Sequence, residues 1–172
     1  MPTSRRYAVI KAVADQLKTV TPGNGYTYNL SASVFIGKRV LGDTDPMPAV
    51  TLLEIPDIQL PESRPETGDA QNTNWEFFVQ GFIRATDPNN PTLDAYNLMA
   101  DVTKALSGIM DPKNDPRHGS TPNGALYLLS GKVVRFDMGG FHVRQSDEVP
   151  SVSNFYLRIR TQVVEKLTNP YD

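Results

Sequence analysis

The side chains best suited to chemistry in this chain are two histidines, two acidic clusters and an arginine pair. These are His118 and His142, Asp43 with Asp45, Asp147 with Glu148, and Arg158 and Arg160 set two residues apart beside Tyr156. Ser, His and Asp are the makings of nucleophilic catalysis, but no Gly-x-Ser-x-Gly turn presents a serine, and neither histidine stands in a recognisable context. His118 lies in a Pro-rich loop and His142 beside Gly139-Gly140, where a structural or solvent-facing role accounts for each. The carboxylates, with His142 added, would make a hard-cation site, yet their spacing matches no metal motif. An Asp beside Gly or Pro is explained by a side chain capping its own turn. Gly23-Asn24-Gly25 follows a helical pattern instead of a strand and lacks the third glycine of a phosphate-binding loop. No catalytic residue, metal or cofactor is expected.

Arg158 and Arg160 alternate with Tyr156 on one strand face, a pattern that suits a protein interface or a nucleic-acid surface. The formal charge of the chain is −2, so no global field draws in a polyanion, and protein contact is the favoured reading. Cysteine is absent, which excludes disulfides, thiolate metal sites and thiol nucleophiles and fits cytosolic synthesis.

Two helices and a set of strands must position these residues. From Thr3 to Val20, apolar residues at Ile10, Val13, Ala14 and Leu17 form one helical stripe, with Thr3 or Ser4 as N-cap, and Pro22 to Gly25 stop it. Tyr26–Leu30, Ser33–Val40 and Ala49–Ile55 read as short strands, with a bend or bulge at Gly37-Lys38-Arg39. Asp57 to Asn74 has neither period and reads as an exposed arm, on which Arg64 and Glu66 are candidate contact residues. A long strand comes next, with Trp75, Phe77, Val79, Gly81 and Ile83 on one face and Glu76, Phe78, Gln80, Phe82 and Arg84 on the other. A sheet that keeps Phe78 and Phe82 on its outer face is expected to be covered twice, by helices and by a neighbour.

Asn90 as N-cap with Pro91 at the first position predicts a second helix, whose stripe runs from Ala95 to Ile109. Asp111–Asn123 is a further polar loop. Leu126–Met138 and Asn154–Lys166 read as closing strands, separated by Gly139-Gly140 and a charged turn. The expected fold is α+β, a mainly antiparallel or mixed sheet with two amphipathic helices on one face and long polar loops, in one domain spanning 1–172. No apolar run approaches the ~20 residues that cross a bilayer, and nothing resembles a signal peptide, so no membrane partner is expected.

The order of landmarks carries a resemblance. An N-terminal helix with Arg6 precedes Pro22-Gly23-Asn24-Gly25-Tyr26, then comes a strand with Val34 and Gly37-Lys38-Arg39, and Pro48-Ala49-Val50 leads a strand with Glu54. After the polar arm come the Trp75–Ile83 strand and the helix start Asn90-Pro91. This succession resembles the tail terminator and tail completion proteins of long-tailed bacteriophages, of the minor tail protein U type. The resemblance implies a non-enzymatic virion subunit assembled in the host cytoplasm. It implies a homo-oligomeric ring, usually a hexamer, that caps the tail tube protein and offers its other side to the head-tail connector protein, with DNA passing only through the lumen. It implies no catalytic residue. The interface candidates Arg64, Glu66, Phe78, Phe82, Tyr156, Arg158 and Arg160 come from the strand and arm patterns. Another head-tail joining subunit is the nearest alternative, and a small metal-dependent hydrolase using Asp147 or His142 is the alternative from a different class.

Overall fold

In a computed structural model, residues 3–42, 44–55, 64–67, 70–114, 126–145, 151–166, 168, 169 and 171 are described, with the backbone alone at 64–67, 70, 71 and 114. Helix α1 spans Arg5–Leu17, and its buried stripe is Val9, Ile10, Val13, Ala14 and Leu17. Ser4 is the N-cap, its hydroxyl accepting a hydrogen bond from the Tyr7 N–H at 3.3 Å. The chain then turns through a 3-10 segment at Pro22–Asn24, which closes on Gly25 at φ 77°, a conformation that glycine adopts at no steric cost.

The strand expected at Tyr26–Leu30 does not form. The N–H groups of Thr27 and Tyr28 donate instead to one carboxylate oxygen of Asp101, at 2.7 and 3.0 Å, and the Leu30 N–H donates to the Val20 carbonyl at 2.8 Å. With those donors committed, the segment has no ladder to join. Strand β1 is only Val34–Ile36, because Gly37 at φ 74° ends it before the expected limit at Val40. Strand β2, Ala49–Glu54, runs parallel to β1.

Strand β3, Arg64–Thr67, pairs antiparallel with the start of β4, Ala70–Arg84. The expectation of an aperiodic arm reaching Asn74 is thereby corrected for 64–67 and 70–74, whose backbones are in a ladder. The lack of apolar alternation over 70–74 hides a strand that the adjoining β6 ladder holds. Residues 57–63, 68 and 69 lie outside the described residues.

Helix α2, Leu93–Met110, carries the expected stripe, with Ala95, Leu98, Val102, Ala105, Leu106 and Ile109 buried. It starts later than expected. Thr92 is the cap, without a side-chain hydrogen bond, while the Asn90 amide donates to Asp87 at 2.8 Å and so serves the preceding turn. Of the loop expected at Asp111–Asn123, Pro112–Asn114 form a 3-10 turn, and 115–125 lie outside the described residues.

The strand expected at Leu126–Met138 is corrected over its first half. Leu128, Leu129, Ser130 and Gly131 form a left-handed turn with φ of 46°, 53°, 61° and 78°. Left-handed geometry costs about 1–2 kcal/mol for each non-glycine residue. Burial of Leu129 and Val133 in the core, where the turn meets α1 and α2, offsets that cost. Strand β5 then runs Arg135–Gln145, straight through Gly139-Gly140. These glycines are a bulge, with Gly140 at φ 62°, and not the expected turn. Strand β6 is Val152–Lys166.

Among the described residues the sheet has six strands in the order β1-β2-β4-β6-β5, with β3 beside β4 off that path, and every pairing there but β1–β2 is antiparallel. The protein is thus α+β with a mixed sheet. Helix α2 lies across β4, β5 and β6, and α1 lies against β1 and α2. Between helices and sheet sits one hydrophobic core, in which Phe77, Val79, Phe155, Leu157, Ile159 and Val163 are fully buried. Among the described residues, no helix is long and apolar enough to cross a membrane.

Candidate interface on the outer face of the sheet

The β4–β6 register puts odd-numbered residues of both strands toward the helices and even-numbered ones on the outer face. Phe78 stands opposite Arg158, Gln80 opposite Tyr156 and Glu76 opposite Arg160. Phe78 and Phe82 are partly buried there, and Arg158 and Arg160 are exposed, their side chains at 48% and 59%. Five of the seven expected interface residues therefore share one surface: Phe78, Phe82, Tyr156, Arg158 and Arg160. Arg64 and Glu66 lie on β3, at the far end of β4, where only the backbone is described.

Glu76 organises this surface. Arg158 donates Nε to its Oε2 at 2.8 Å and Nη2 to the same oxygen, while Arg160 donates Nε to Oε1 at 2.6 Å. Burial pushes the Glu76 carboxyl up, but the hydrogen bonds and charges of Arg160 and Arg158 outweigh it and hold the group below its ordinary value. On the next strand Arg135 Nε lies 2.5 Å from Asp137 Oδ2, an ion contact that lacks hydrogen-bond geometry. Asn74, Glu76, Arg135, Asp137, Arg160 and Gln162 border a polar depression of about 420 Å³.

Toward the other end of the face, the Gln80 amide donates to the Tyr156 hydroxyl at 2.8 Å, and Phe78 meets the Tyr156 ring edge-on with centroids 6.3 Å apart. The Arg144 guanidinium lies 5.8 Å from that ring's centre. The aromatic ring is thus fixed from three sides. The β1–β2 margin of the face is closed by the loop after β1. Lys38 accepts the Thr51 hydroxyl proton on its carbonyl, pairs with Asp45 at 2.5 Å and stacks over Phe35. The Lys38 ammonium, and then the Gly42 N–H at 2.7 Å, hold the Asp45 carboxyl below its ordinary value. Asp45 therefore does cap its own turn.

Residue patterns gave no sign of several participants. Glu76 was legible as a member of the face but not as the common partner of both arginines, since pairing depends on register. Arg135, Asp137 and Arg144 could not be grouped from sequence, because simple alternation sends odd and even positions to opposite sides. The Gly139-Gly140 bulge shifts the register, so Asp137 faces Arg160 and Arg144 faces Asn154 on the same surface. On α2, Asp94 and Asp101 are two turns apart beside the apolar stripe, a spacing that would have marked a docking face. Asp101 holds the Thr27 and Tyr28 amides, and Asp94 accepts from the Tyr28 hydroxyl at 3.1 Å and the Thr86 N–H at 2.7 Å.

His142 is a β5 residue opposite Tyr156. Among the described residues, no cluster of three or more His, Asp or Glu side chains could hold a metal. His118, Asp43, Asp147 and Glu148 lie outside the described residues. Neither the models of known protein families nor the curated proteins contain a match to this chain.

Proposed function

We propose that this protein is a structural subunit that assembles through the outer face of its sheet, in the manner of a phage tail terminator. Copies of it would close a ring that ends tail-tube growth and presents a surface for the head or its connector. The observation that carries this reading is the asymmetry of the sheet. Both long helices cover one face, while the other keeps Phe78, Phe82 and Tyr156 among exposed arginines. Aromatic and arginine side chains together, with charges already paired, are the composition of a contact surface. The resemblance in the order of landmarks supplies the tail, ring and connector.

A closed ring needs two different patches on one subunit, and the sheet provides unlike edges: β1 with three residues and β5 with eleven. Negative-stain imaging of purified protein, alone and with tail tubes, tests the reading. Rings, or caps at tube ends, are expected. Protein that stays monomeric at all concentrations and leaves tubes uncapped would sink it.

A further inference from the structure

Among the described residues, the large hydrophobics that stay exposed gather at two opposite margins of the sheet, Tyr171 beside the start of α1 excepted. At the β1 margin are Ile36, Val40 in the loop that follows it, and Tyr7 on α1. Gln16 marks the flank of α1 that faces α2 by donating to the Ala105 carbonyl, and Tyr7 is on the other flank. At the β5 margin are Val134, Phe141 and Tyr96, with Leu93 one turn earlier on α2. Asp94 and Asp101 turn one flank of α2 toward Tyr28, which leaves Tyr96 on the flank toward β5. Single exposed apolar residues are ordinary, whereas grouped ones mark contact sites.

The β1 margin also holds a pit. The Gly37 N–H closes the β1 ladder on the Leu52 carbonyl at 2.8 Å, so β2 runs on through Leu53 and Glu54 with no strand beside it among the described residues. That vacancy is a cavity of about 210 Å³, with Ile10, Ile36 and Leu52 in its walls and the exposed Arg39 and Glu54 on its rim. Pockets for small ligands run to about 300–1,000 Å³, so this one suits a single side chain. At the other margin, the bulge takes Gly140 and Phe141 out of register. A Cβ on Gly140 would point at Arg158 on the outer face, and Val143 pairs with the core residue Phe155, so Phe141 is on the helix side. The pit opens on that side too, since Ile10 of α1 lines it.

We propose that Phe141 of one copy enters the pit at the β1 margin of the next, joining subunits edge to edge. The margins are unlike and lie on opposite sides of one subunit, the arrangement that lets a single contact repeat around a closed ring. Half-exposed side chains at ~100 Å² each put roughly 300–400 Å² of apolar area on either margin. A standard interface buries ~800 Å² per partner, a little over half of it apolar, so the two margins with their polar rims supply a contact of that size. The joint deepens the ring reading and rests on it. It is separate from the outer face, whose arginines are on the other side of the sheet.

The chain has no cysteine, so introduced thiols report on the joint alone. The whole chain carrying both Ile36→Cys and Phe141→Cys, treated with a short bismaleimide, should give a covalent ladder that ends at the ring. Either substitution alone should leave monomers, and an equimolar mixture of the two single variants should stop at dimers. Phe141→Ser, and separately Tyr7→Ser, should raise the dissociation constant for self-association in sedimentation velocity by at least about tenfold. Both side chains are half exposed, and circular dichroism checks that the variants are folded. Dimers from Phe141→Cys alone would mean that like margins meet, and would overturn the proposal. So would Phe141→Ser protein that assembles normally but no longer binds tail tubes, which would assign the side chain to the tube. Assembly that survives Phe141→Ser with no ladder would overturn the joint and leave the ring standing, whereas wild-type protein that stays monomeric at every concentration would end both.

Discussion

Gly81 shows how a single position can be fixed by packing. It sits on the inner side of β4 opposite Phe155, and a Cβ built there would lie 2.0 Å from that buried ring. Gly81→Ala should cost about 1–3 kcal/mol or more through overpacking, measured as a lower urea midpoint with the slope unchanged. Asp101 works by hydrogen bonding. Asp101→Ala would strand the Thr27 and Tyr28 amides and should cost about 1–3 kcal/mol, with faster hydrogen exchange at those amides. Tyr28 gives a pH signature. Burial first, and then its hydrogen bond to Asp94, push the phenol up to about 12 from 10.0. The folded state therefore holds this proton more tightly than the unfolded chain does. The associated stability is complete below about pH 10 and is lost as pH rises toward 12. Tyr28→Phe should flatten the stability curve over that window in denaturation at alkaline pH.

At the scale of elements, the bulge in β5 decides which side chains meet. Gly140 combines φ 62° with a position where a Cβ would come within 3.3 Å of Arg158 Cβ. Gly140→Ala should therefore destabilise the protein by about 1–2 kcal/mol and disturb the Arg158–Glu76 contact, visible as altered backbone shifts along β6. The helices, by contrast, obey their stripes. Both were legible because apolar spacing at 3.6 residues needs no partner to be recognised, although the cap of α2 moved from Asn90 to Thr92. The left-handed turn at Leu128–Gly131 was not legible. Its leucines disfavour positive φ locally, and only the core under α1 and α2 rewards the strained form.

At the scale of the whole molecule, the proposed assembly uses the face of the sheet that the helices leave open. Arg158→Ala/Arg160→Ala should leave the secondary structure unchanged, because both side chains are exposed, while weakening self-association in sedimentation velocity. An effect confined to stability, with assembly intact, would argue that these arginines serve only Glu76. Much of the candidate surface was readable in advance, since Phe78, Phe82, Tyr156, Arg158 and Arg160 are all even-numbered positions of two alternating strands. The arm residues Arg64 and Glu66 lie on β3 beside the start of β4, in a pairing that no hydrophobic alternation announces.

The sequence alone determined the α+β class, the two amphipathic helices and the inner and outer faces of β4 and β6. Those features arise from the periods of single elements. Tertiary structure decided that Glu76 holds two arginines, that Asp101 replaces a strand at Tyr26–Leu30, and that a bulge brings Arg135, Asp137 and Arg144 to one surface. Each depends on register or on a partner distant in the chain, and neither composition nor spacing carries that information.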